Sequence, residues 1–429
     1  MNRYIKLLLV FMTLRFGHTA AGQELDSLYV KEPMDYLTFL GIVGKENIAY
    51  TAERFNINIA QAEIETAKIF PDPELEFGWF DNGERRMRMG YGFTSELTWI
   101  LELGGKRKAR IDLARNQTQL TQYQLEDYFR NLRADATLSY LLAVQNRMLL
   151  EVQRNSYQQL NQLAVSDSIR YNLGAISQVD ARQSKLEAGS MLNEIYNAEA
   201  AYKTSLVGLS LLLGDKKKDT LIYPTANFSS FDRTFSLQDL LVTAINSRAD
   251  LKAALQDKQV SASAIKLAKA NRAIDLGLKL GVNYASDARN IIAPTPSFTT
   301  VMASIAVPLK FSNNRHGELR ATRYANMQSE YIYRQIELEI KTELTQAYYA
   351  YQSVEKQIRQ FDKGLLTEAK AILDGKVYSY QRGETSLLEV LNAQRTYNEI
   401  QQTYYQTLYN YAEALVELER ASGIWDINF

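Results

Sequence analysis

The stretch Tyr171-Asn-Leu-Gly174-Ala-Ile-Ser177 returns later in the chain as Tyr380-Gln-Arg-Gly383-Glu-Thr-Ser386. The two segments lie 209 residues apart and share Tyr, Gly and Ser at matching positions. The same offset relates Asp180 to Glu389 without a gap. Self-similarity at one fixed offset is the sequence signature of a repeated structural unit. The chain therefore predicts one unit built twice.

Each predicted unit begins with paired strands and continues into helices. On both sides of Asp81, apolar side chains alternate with other residues, which is the pattern of strands with one apolar face. Pro71 and Pro73 end the preceding helix, because proline cannot donate the next helical hydrogen bond. In the first copy we predict strands at about 74–81 and 86–102, a long helix at 106–170 and a return helix at 176–213. In the second copy we predict strands at about 274–286 and 298–311, a long helix at 315–379 and a return helix at 385–422.

The two predicted long helices are unusual in length. Neither contains proline, and each runs for 65 residues. At about 1.5 Å per residue, such a helix is roughly 100 Å long. The turns around Gly174 and Gly383 are therefore expected at the far end of each helix pair, about 100 Å from the strands.

The first residues of the chain indicate export. Arg3 and Lys6 precede an apolar stretch at 7–16, and small residues follow it, which predicts a signal peptide cleaved before Gln23. The apolar stretch is too short to span a bilayer as a helix. The predicted organisation is a signal peptide at 1–22, a first repeat at 23–214, a linker at 215–236 and a second repeat at 237–429.

Composition argues against several classes of function. The chain has 49 basic and 49 acidic residues, so it shows no electrostatic footprint for nucleic acid, and it has no cysteine. His18 lies in the signal peptide and His316 stands alone, so no metal-ligand set is predicted. No nucleophile–base arrangement or phosphate-binding loop is present either. We therefore predict a protein that is not an enzyme and that holds no cofactor.

The predicted strand count requires more than one chain. Four strands of about ten residues suit a membrane barrel in length, but the smallest closed barrels have about eight strands. An open sheet edge in hydrocarbon costs several kcal/mol for each unpaired backbone group. Several copies must therefore pool their strands, and three copies would supply twelve. Two repeats in each of three chains would also give an approximately six-fold ring of helix pairs.

Several motifs resemble those of one known family. The chain resembles the TolC-like outer-membrane efflux proteins over essentially its whole mature length, and it is most similar to the CzcC-type outer-membrane components of heavy-metal efflux systems. The motifs that carry the resemblance are Phe70-Pro-Asp-Pro-Glu-Leu-Glu76, Leu101-Glu-Leu-Gly-Gly-Lys-Arg107, Val307-Pro-Leu-Lys-Phe311, Asn313-Asn-Arg-His-Gly317 and the repeated Tyr-x-x-Gly-x-x-Ser turn.

The resemblance implies a fold and a set of partners. It implies an α+β membrane protein in which a trimeric twelve-stranded β-barrel, with four strands per chain, continues into a long periplasmic α-helical barrel. The homotrimer would sit in outer-membrane lipid and extend into the periplasm. It would dock on a periplasmic adaptor protein and an inner-membrane pump of the resistance-nodulation-division (RND) class, and it would bind no nucleic acid.

The resemblance also assigns roles to the two helix turns. The turn residues implied to dock the adaptor are Gly174, Ala175, Ser177, Gly383, Glu384 and Ser386. The residues implied to form a periplasmic gate are Asp180, Tyr380, Glu389 and Asn392, the last standing where the family often has Asp. Structural explanations stay open beside these roles. Glycine permits a left-handed turn, an acid in the first turn stabilises a helix by about 0.3–1 kcal/mol, and a tyrosine packs well.

The function that these patterns favour is a passive exit duct in a tripartite RND-type efflux system. The cargo is expected to be metal cations or small toxic compounds. One alternative is the outer-membrane duct of a type I protein secretion system, which shares the implied fold. A second alternative is a periplasmic coiled-coil scaffold without a pore, against which the alternating strands argue.

Overall fold

The computed structural model describes residues 30–81, 88–214, 220–228, 233–309 and 314–427, so the predicted signal peptide at 1–22 lies outside the described residues. The chain forms two compact units. The first unit comprises the described parts of Met1–Ala52, Tyr128–Ser247 and Ile340–Phe429. The second comprises the described parts of Glu53–Asp127 and Arg248–Glu339.

Both units are built from helices and short strands. The strands in the described residues are β1 (Val30–Met34), β2 (Glu74–Asp81), β3 (Tyr91–Leu101), β4 (Thr220–Pro224), β5 (Leu276–Ala285) and β6 (Phe298–Ala306). The helices in the same residues are α1 (Tyr36–Glu46), α2 (Ile48–Lys68), α3 (Lys106–Asn172), α4 (Gln178–Leu213), α5 (Leu237–Ser247), α6 (Ala249–Ala270), α7 (His316–Asp362), α8 (Leu365–Gln381) and α9 (Leu387–Ser422).

The first unit has an apolar core where β1 pairs with β4 in parallel. Residues of β1, α1, α3, α4 and β4 form one buried cluster, in which Phe39, Leu209 and Ile222 are fully buried. Tyr140 on α3 donates a hydrogen bond of 2.8 Å to the carbonyl oxygen of Met34. This bond satisfies the only polar atom that the Tyr140 side chain brings into the core.

The second unit contains an antiparallel sheet of four strands in the order β2-β3-β5-β6. Cross-strand register places most of the large apolar side chains on one face and most of the polar side chains on the other. The apolar face carries Leu75, Phe77, Trp79, Phe93, Leu97, Trp99, Leu278, Leu280, Val282, Tyr284, Val301 and Ile305. The other face carries Glu74, Glu76, Thr94, Glu96, Thr98, Lys279, Asn283, Thr300 and Ser304, together with four large apolar residues, Phe80, Ile100, Phe298 and Met302. Apolar side chains are open to solvent in one chain, since Phe77 is 74% and Val301 is 76% exposed.

Four helix segments of the second unit follow the same order as the strands. Side-chain contacts join α2 to α3, α3 to α6, and α6 to α7. The contacts are Thr118 Oγ1 to Ala60 O (3.1 Å), Asn116 Nδ2 to Ser263 Oγ (2.8 Å) and Lys258 Nζ to Glu330 Oε2 (2.5 Å). Because the order matches that of the sheet, β2 and α2 lie at one edge of this unit, and β6 and α7 lie at the other.

Three predicted strands differ in extent from the observed ones. The strand predicted at 86–102 begins at Tyr91, because Arg88 and Gly90 adopt positive φ angles of 49° and 77° that no strand tolerates. Residues 86 and 87 lie outside the described residues. The strand predicted at 274–286 spans Leu276–Ala285. The strand predicted at 298–311 ends at Ala306 because Pro308 cannot donate to a ladder, and 310–311 lie outside the described residues.

The prediction of one continuous long helix is correct for the first copy and wrong for the second. Helix α3 runs unbroken from Lys106 to Asn172, whereas the helix predicted at 315–379 breaks at Lys363 and Gly364 into α7 and α8. Gly364 adopts φ 97°, and this left-handed backbone ends the helical hydrogen-bond ladder.

The return helices and the linker also differ from the prediction. The return helices begin at Gln178 and Leu387, two residues later than predicted, because Ser177 and Ser386 are extended N-cap residues. The linker predicted at 215–236 contains the strand β4. Residues 215–219 and 229–232 of this linker lie outside the described residues.

Candidate functional site at the two helix turns

The first turn joins α3 to α4 through a left-handed glycine. Gly174 adopts φ 75°, and the Ala175 amide donates to the Arg170 carbonyl at 2.8 Å, which satisfies a carbonyl at the end of α3. Ser177 then caps α4, because its Oγ accepts from the Asp180 amide at 3.1 Å. The Ser177 hydroxyl donates in turn to the Asp180 carboxylate at 2.7 Å. The first turn is therefore closed by hydrogen bonds at both helix ends.

The second turn joins α8 to α9 with the same backbone but a different cap. Gly383 adopts φ 79°, and the Glu384 amide donates to the Ser379 carbonyl at 3.0 Å. Ser386 is extended like Ser177, but its side chain makes no capping hydrogen bond. Instead, the Glu389 amide donates to the Ser386 carbonyl at 3.2 Å. The two turns therefore match in backbone and differ in side-chain chemistry.

The predicted docking residues all lie on the protein surface. The three residues of the first turn and the three of the second are exposed: Gly174, Ala175, Ser177, Gly383, Glu384 and Ser386. Large apolar side chains flank them, since Leu173 is 78%, Val179 is 71% and Leu388 is 58% exposed. Sequence reasoning missed these three residues, although an apolar residue directly beside a turn glycine or near a helix start was a usable signal.

Tyr380 is buried and bonds a different helix. Its hydroxyl donates to Asp167 Oδ1 on α3 at 2.9 Å, and Asp167 is fully buried. Burial raises the pKa of the Asp167 carboxyl and also raises the pKa of the Tyr380 hydroxyl. The Arg170 guanidinium lies 4.7 Å from the centre of the Tyr380 ring. Tyr380 is thus both a packing aromatic and a link between α8 and α3.

The predicted gate acids stand in two different environments. Asp180 accepts a hydrogen bond from the Ser177 hydroxyl, and its negative charge adds to the rise that burial causes in the pKa of Asp167 and in the pKa of Tyr380. Glu389 forms a 2.5 Å ion pair with Lys376 on α8. Hydrogen bonds from Lys376 and then Thr385 hold the pKa of the Glu389 carboxyl below its usual value.

Asn392, the remaining predicted gate residue, is exposed on α9. The prediction from sequence included neither Asp167 nor Lys376. These two residues are related by the same offset of 209 that relates Asp180 to Glu389, so the repeat itself carried the missing signal.

Polar pairs with one or both members buried join α3 to α9 alongside this site. The pairs are Gln145–Gln406 (2.7 Å), Ser156–Asn398 (3.0 Å) and Gln159–Gln394 (3.0 Å). Apolar residues of all four helices pack nearby, including Leu160, Ala188, Val390 and Leu391. Because each buried polar group must meet its partner, such pairs fix the register of the two helices.

Among the residues that the structure describes, no group of three or more His, Asp or Glu side chains could hold a metal ion. No helix within the described ranges is long and apolar enough to cross a membrane.

Comparisons with known proteins place the chain in a family. The sequence profile described as outer membrane efflux protein matches residues 46–215 and 240–424. The cobalt-zinc-cadmium resistance protein CzcC of Cupriavidus metallidurans is 21% identical over 407 residues, which cover 94% of each chain. Outer membrane protein TolC of Vibrio cholerae is 21% identical over 358 residues, which cover 78% of this chain and 76% of TolC.

Solved structures give the same result at the level of fold. A crystal structure of CusC superposes with a TM-score of 0.74 at 19% identity, covering 91% of this chain and 92% of CusC. The CmeC outer membrane channel of Campylobacter jejuni superposes with a TM-score of 0.73 at 15% identity, covering 90% of this chain and 84% of CmeC. The chain therefore belongs to the outer membrane efflux protein family and is an outer-membrane protein that extends into the periplasm.

Proposed function

We propose that this chain is the outer-membrane exit duct of a tripartite RND-type efflux system and acts as a homotrimer. The sheet of the second unit carries the proposal. It has one largely apolar face that stays exposed in a single chain and an opposite face that carries nearly all of the charged and amide side chains of the sheet. An apolar exterior and a polar interior are the two surfaces of a barrel that passes water and solutes through lipid.

The edges of the sheet support assembly into a ring. In the described residues, β2 and β6 each pair with one neighbour only, so each leaves a row of backbone groups open. Such an edge is a template for pairing with another chain. If β6 of one copy pairs with β2 of the next, three copies close a barrel of twelve strands.

The helices at the two edges support the same ring. On α2, Phe55 and Ile59 are each 58% exposed, one helical turn apart. On α7, Tyr324 is 68%, Met327 is 58% and Tyr331 is 66% exposed, which is also one face of a helix. Because α2 and α7 lie at the same edges as β2 and β6, head-to-tail pairing would bury both stripes. One arrangement would thus pair the open strand edges and bury the apolar stripes.

The two helix turns are the proposed docking surface for a periplasmic adaptor. Each chain offers two exposed glycine turns with apolar neighbours, so three chains would offer six. Gly174, Ala175, Ser177, Gly383, Glu384 and Ser386 are assigned to docking in this proposal. Asp180, Tyr380, Glu389 and Asn392 are assigned to a gate between the turns and the duct.

The cargo is proposed to be metal cations or small toxic compounds. The similarity to CzcC, which is named for cobalt, zinc and cadmium resistance, favours cations. The carboxylate, hydroxyl and amide oxygens of the sheet are also suited to cations, because such oxygens can replace water contacts that an ion loses.

Deletion of the gene in its native host, followed by complementation, tests the function. Loss of the chain should raise the cell content of Co²⁺, Zn²⁺ or Cd²⁺, or of an organic dye such as ethidium. The complementing gene should restore both values. Unchanged cation and dye content with a lost secreted protein would favour the type I secretion duct. A chain found only in the soluble periplasmic fraction would contradict any duct.

A further inference from the structure

We propose that Lys376 sets the ion selectivity of the duct by neutralising Glu389, so that the second turn presents an ion pair and not a free acid. The proposal rests on the proposed function, because selectivity has meaning only if solutes pass the turns. It assigns a role to a basic residue on α8 that the predicted gate did not include.

The repeat provides an internal comparison for this role. Lys376 and Glu389 occupy the positions that Asp167 and Asp180 hold in the first copy, each at the offset of 209 residues. The first copy therefore has two acids where the second has a base and an acid. With all four side chains ionised, the two copies therefore differ in net charge by two units at this level.

The contacts show how each acid is held. In the first copy, Asp180 bonds the Ser177 hydroxyl at 2.7 Å, and Asp167 is buried against Tyr380. In the second copy, Lys376 Nζ reaches Glu389 Oε2 at 2.5 Å from the antiparallel helix. The two side chains are 43% and 49% exposed, so water and ions have access to the pair.

A passing ion would respond differently to a free carboxylate and to an ion pair. A free carboxylate at an exposed position attracts cations and repels anions, over about 8 Å in physiological salt. A carboxylate paired with an ammonium group at 2.5 Å has a field that falls off much faster, because the two charges cancel at a distance. Removal of the Lys376 charge would therefore expose the Glu389 carboxylate to the permeating ions.

Planar-bilayer recording of the purified full-length protein tests the proposal. The reversal potential in a KCl gradient gives the permeability ratio of K⁺ to Cl⁻. We expect Lys376→Met, which keeps the alkyl chain, to raise this ratio by about twofold or more, because an uncompensated charge in a confined path concentrates its counter-ion. The double variant Lys376→Met with Glu389→Gln should return to the wild-type ratio.

Lys370→Met is the matched control, because Lys370 is an exposed lysine on the same helix and its loss changes net charge equally. This control should keep the wild-type ratio. An unchanged ratio in Lys376→Met, an equal rise in Lys370→Met, or a double variant that stays shifted would each overturn the role of Lys376. Absence of any wild-type conductance would overturn the proposed duct, and the role of Lys376 with it.

Discussion

The two copies of the repeat share the order of their strands and helices. They differ in the long helical segment that follows the strands, which we call the arm. In the first copy, α3 is one helix of 67 residues, and Asn155 lies inside it. In the second copy, the residue at the same offset is Gly364, where the arm breaks into α7 and α8. The copies also differ near the turns, since Tyr380 is 5% exposed while its counterpart Tyr171 is 39% exposed.

The two copies keep the same backbone geometry at their turns and differ in the roles of their side chains. Both turns keep a glycine at φ 75° or 79° and an extended serine before the next helix. The contacts that join helices are not duplicated, because Tyr380 bonds Asp167 and the position equivalent to Asp167 is a lysine. An approximately six-fold ring of such arms would therefore alternate between two kinds of arm.

The largest expected effect is loss of export on substitution of a turn glycine by proline. Gly383→Pro forces φ to about −65° where the turn needs a positive angle, and it removes the amide that donates to the Tyr380 carbonyl at 3.0 Å. We expect export of the cargo to be abolished, while the trimer stays in the outer membrane. Gly174→Pro tests the other copy. Unchanged export in either variant would remove that turn from the docking surface.

The buried hydroxyl of Tyr380, which links α8 to α3, should contribute more to the free energy of unfolding than the hydroxyl of its counterpart Tyr171. Tyr380→Phe leaves the buried Asp167 carboxylate without its hydroxyl donor, which should cost about 1–3 kcal/mol of unfolding free energy. Tyr171→Phe should change the same quantity by less than about 0.5 kcal/mol, because Tyr171 is partly exposed. Denaturant unfolding of both variants measures the difference, and equal costs would contradict the assigned asymmetry.

The helix break predicts that substitution by alanine changes the free energy of unfolding in opposite directions in the two copies. Gly364→Ala places a side chain at φ 97°, which should destabilise the protein by about 1–2 kcal/mol although the space beside it is empty. Asn155→Ala, at the matching exposed helical position, should stabilise it by up to about 0.7 kcal/mol through helix propensity. Thermal unfolding gives both signs. A stabilising Gly364→Ala would mean that the arm prefers to be continuous.

The smallest expected effect is a change in pH dependence at Asp167. Because burial raises its folded-state pKa above the ordinary 3.8, its stabilising contribution is fully present below pH 3.8 and is lost as the pH rises through the raised value. Asp167→Asn removes this titration. The melting temperature of the variant should therefore rise relative to that of the wild type as the pH increases above 3.8. A difference in melting temperature between the two proteins that stays constant as the pH rises would contradict the raised pKa of Asp167.

The sequence was most informative where a local rule decides the structure. The strand predicted at about 74–81 coincides with β2, because alternation and the flanking Pro71 and Pro73 act within a few residues. The break at Gly364 was missed, because absence of proline was used as the criterion for a continuous helix and a left-handed glycine ends a helix as well.

Long-range pairings could not be predicted from sequence. Strands β1 and β4 have five residues each, pair in parallel and lie 190 residues apart, so no local pattern indicates their partnership. At the turns, the glycines and Ser177 were visible as turn and cap signals. Tyr380 and Asp167 lie 213 residues apart in sequence. Their hydrogen bond depends on the packing of α8 against α3, which only the fold brings about.

Native mass spectrometry of the protein extracted from outer membranes into detergent shows whether the four strands of one chain close alone or whether the open edges at β2 and β6 are joined between copies. We expect a single species containing three chains, which dissociates to monomers only on heating. A stable monomer that still conducts ions in a bilayer would contradict it.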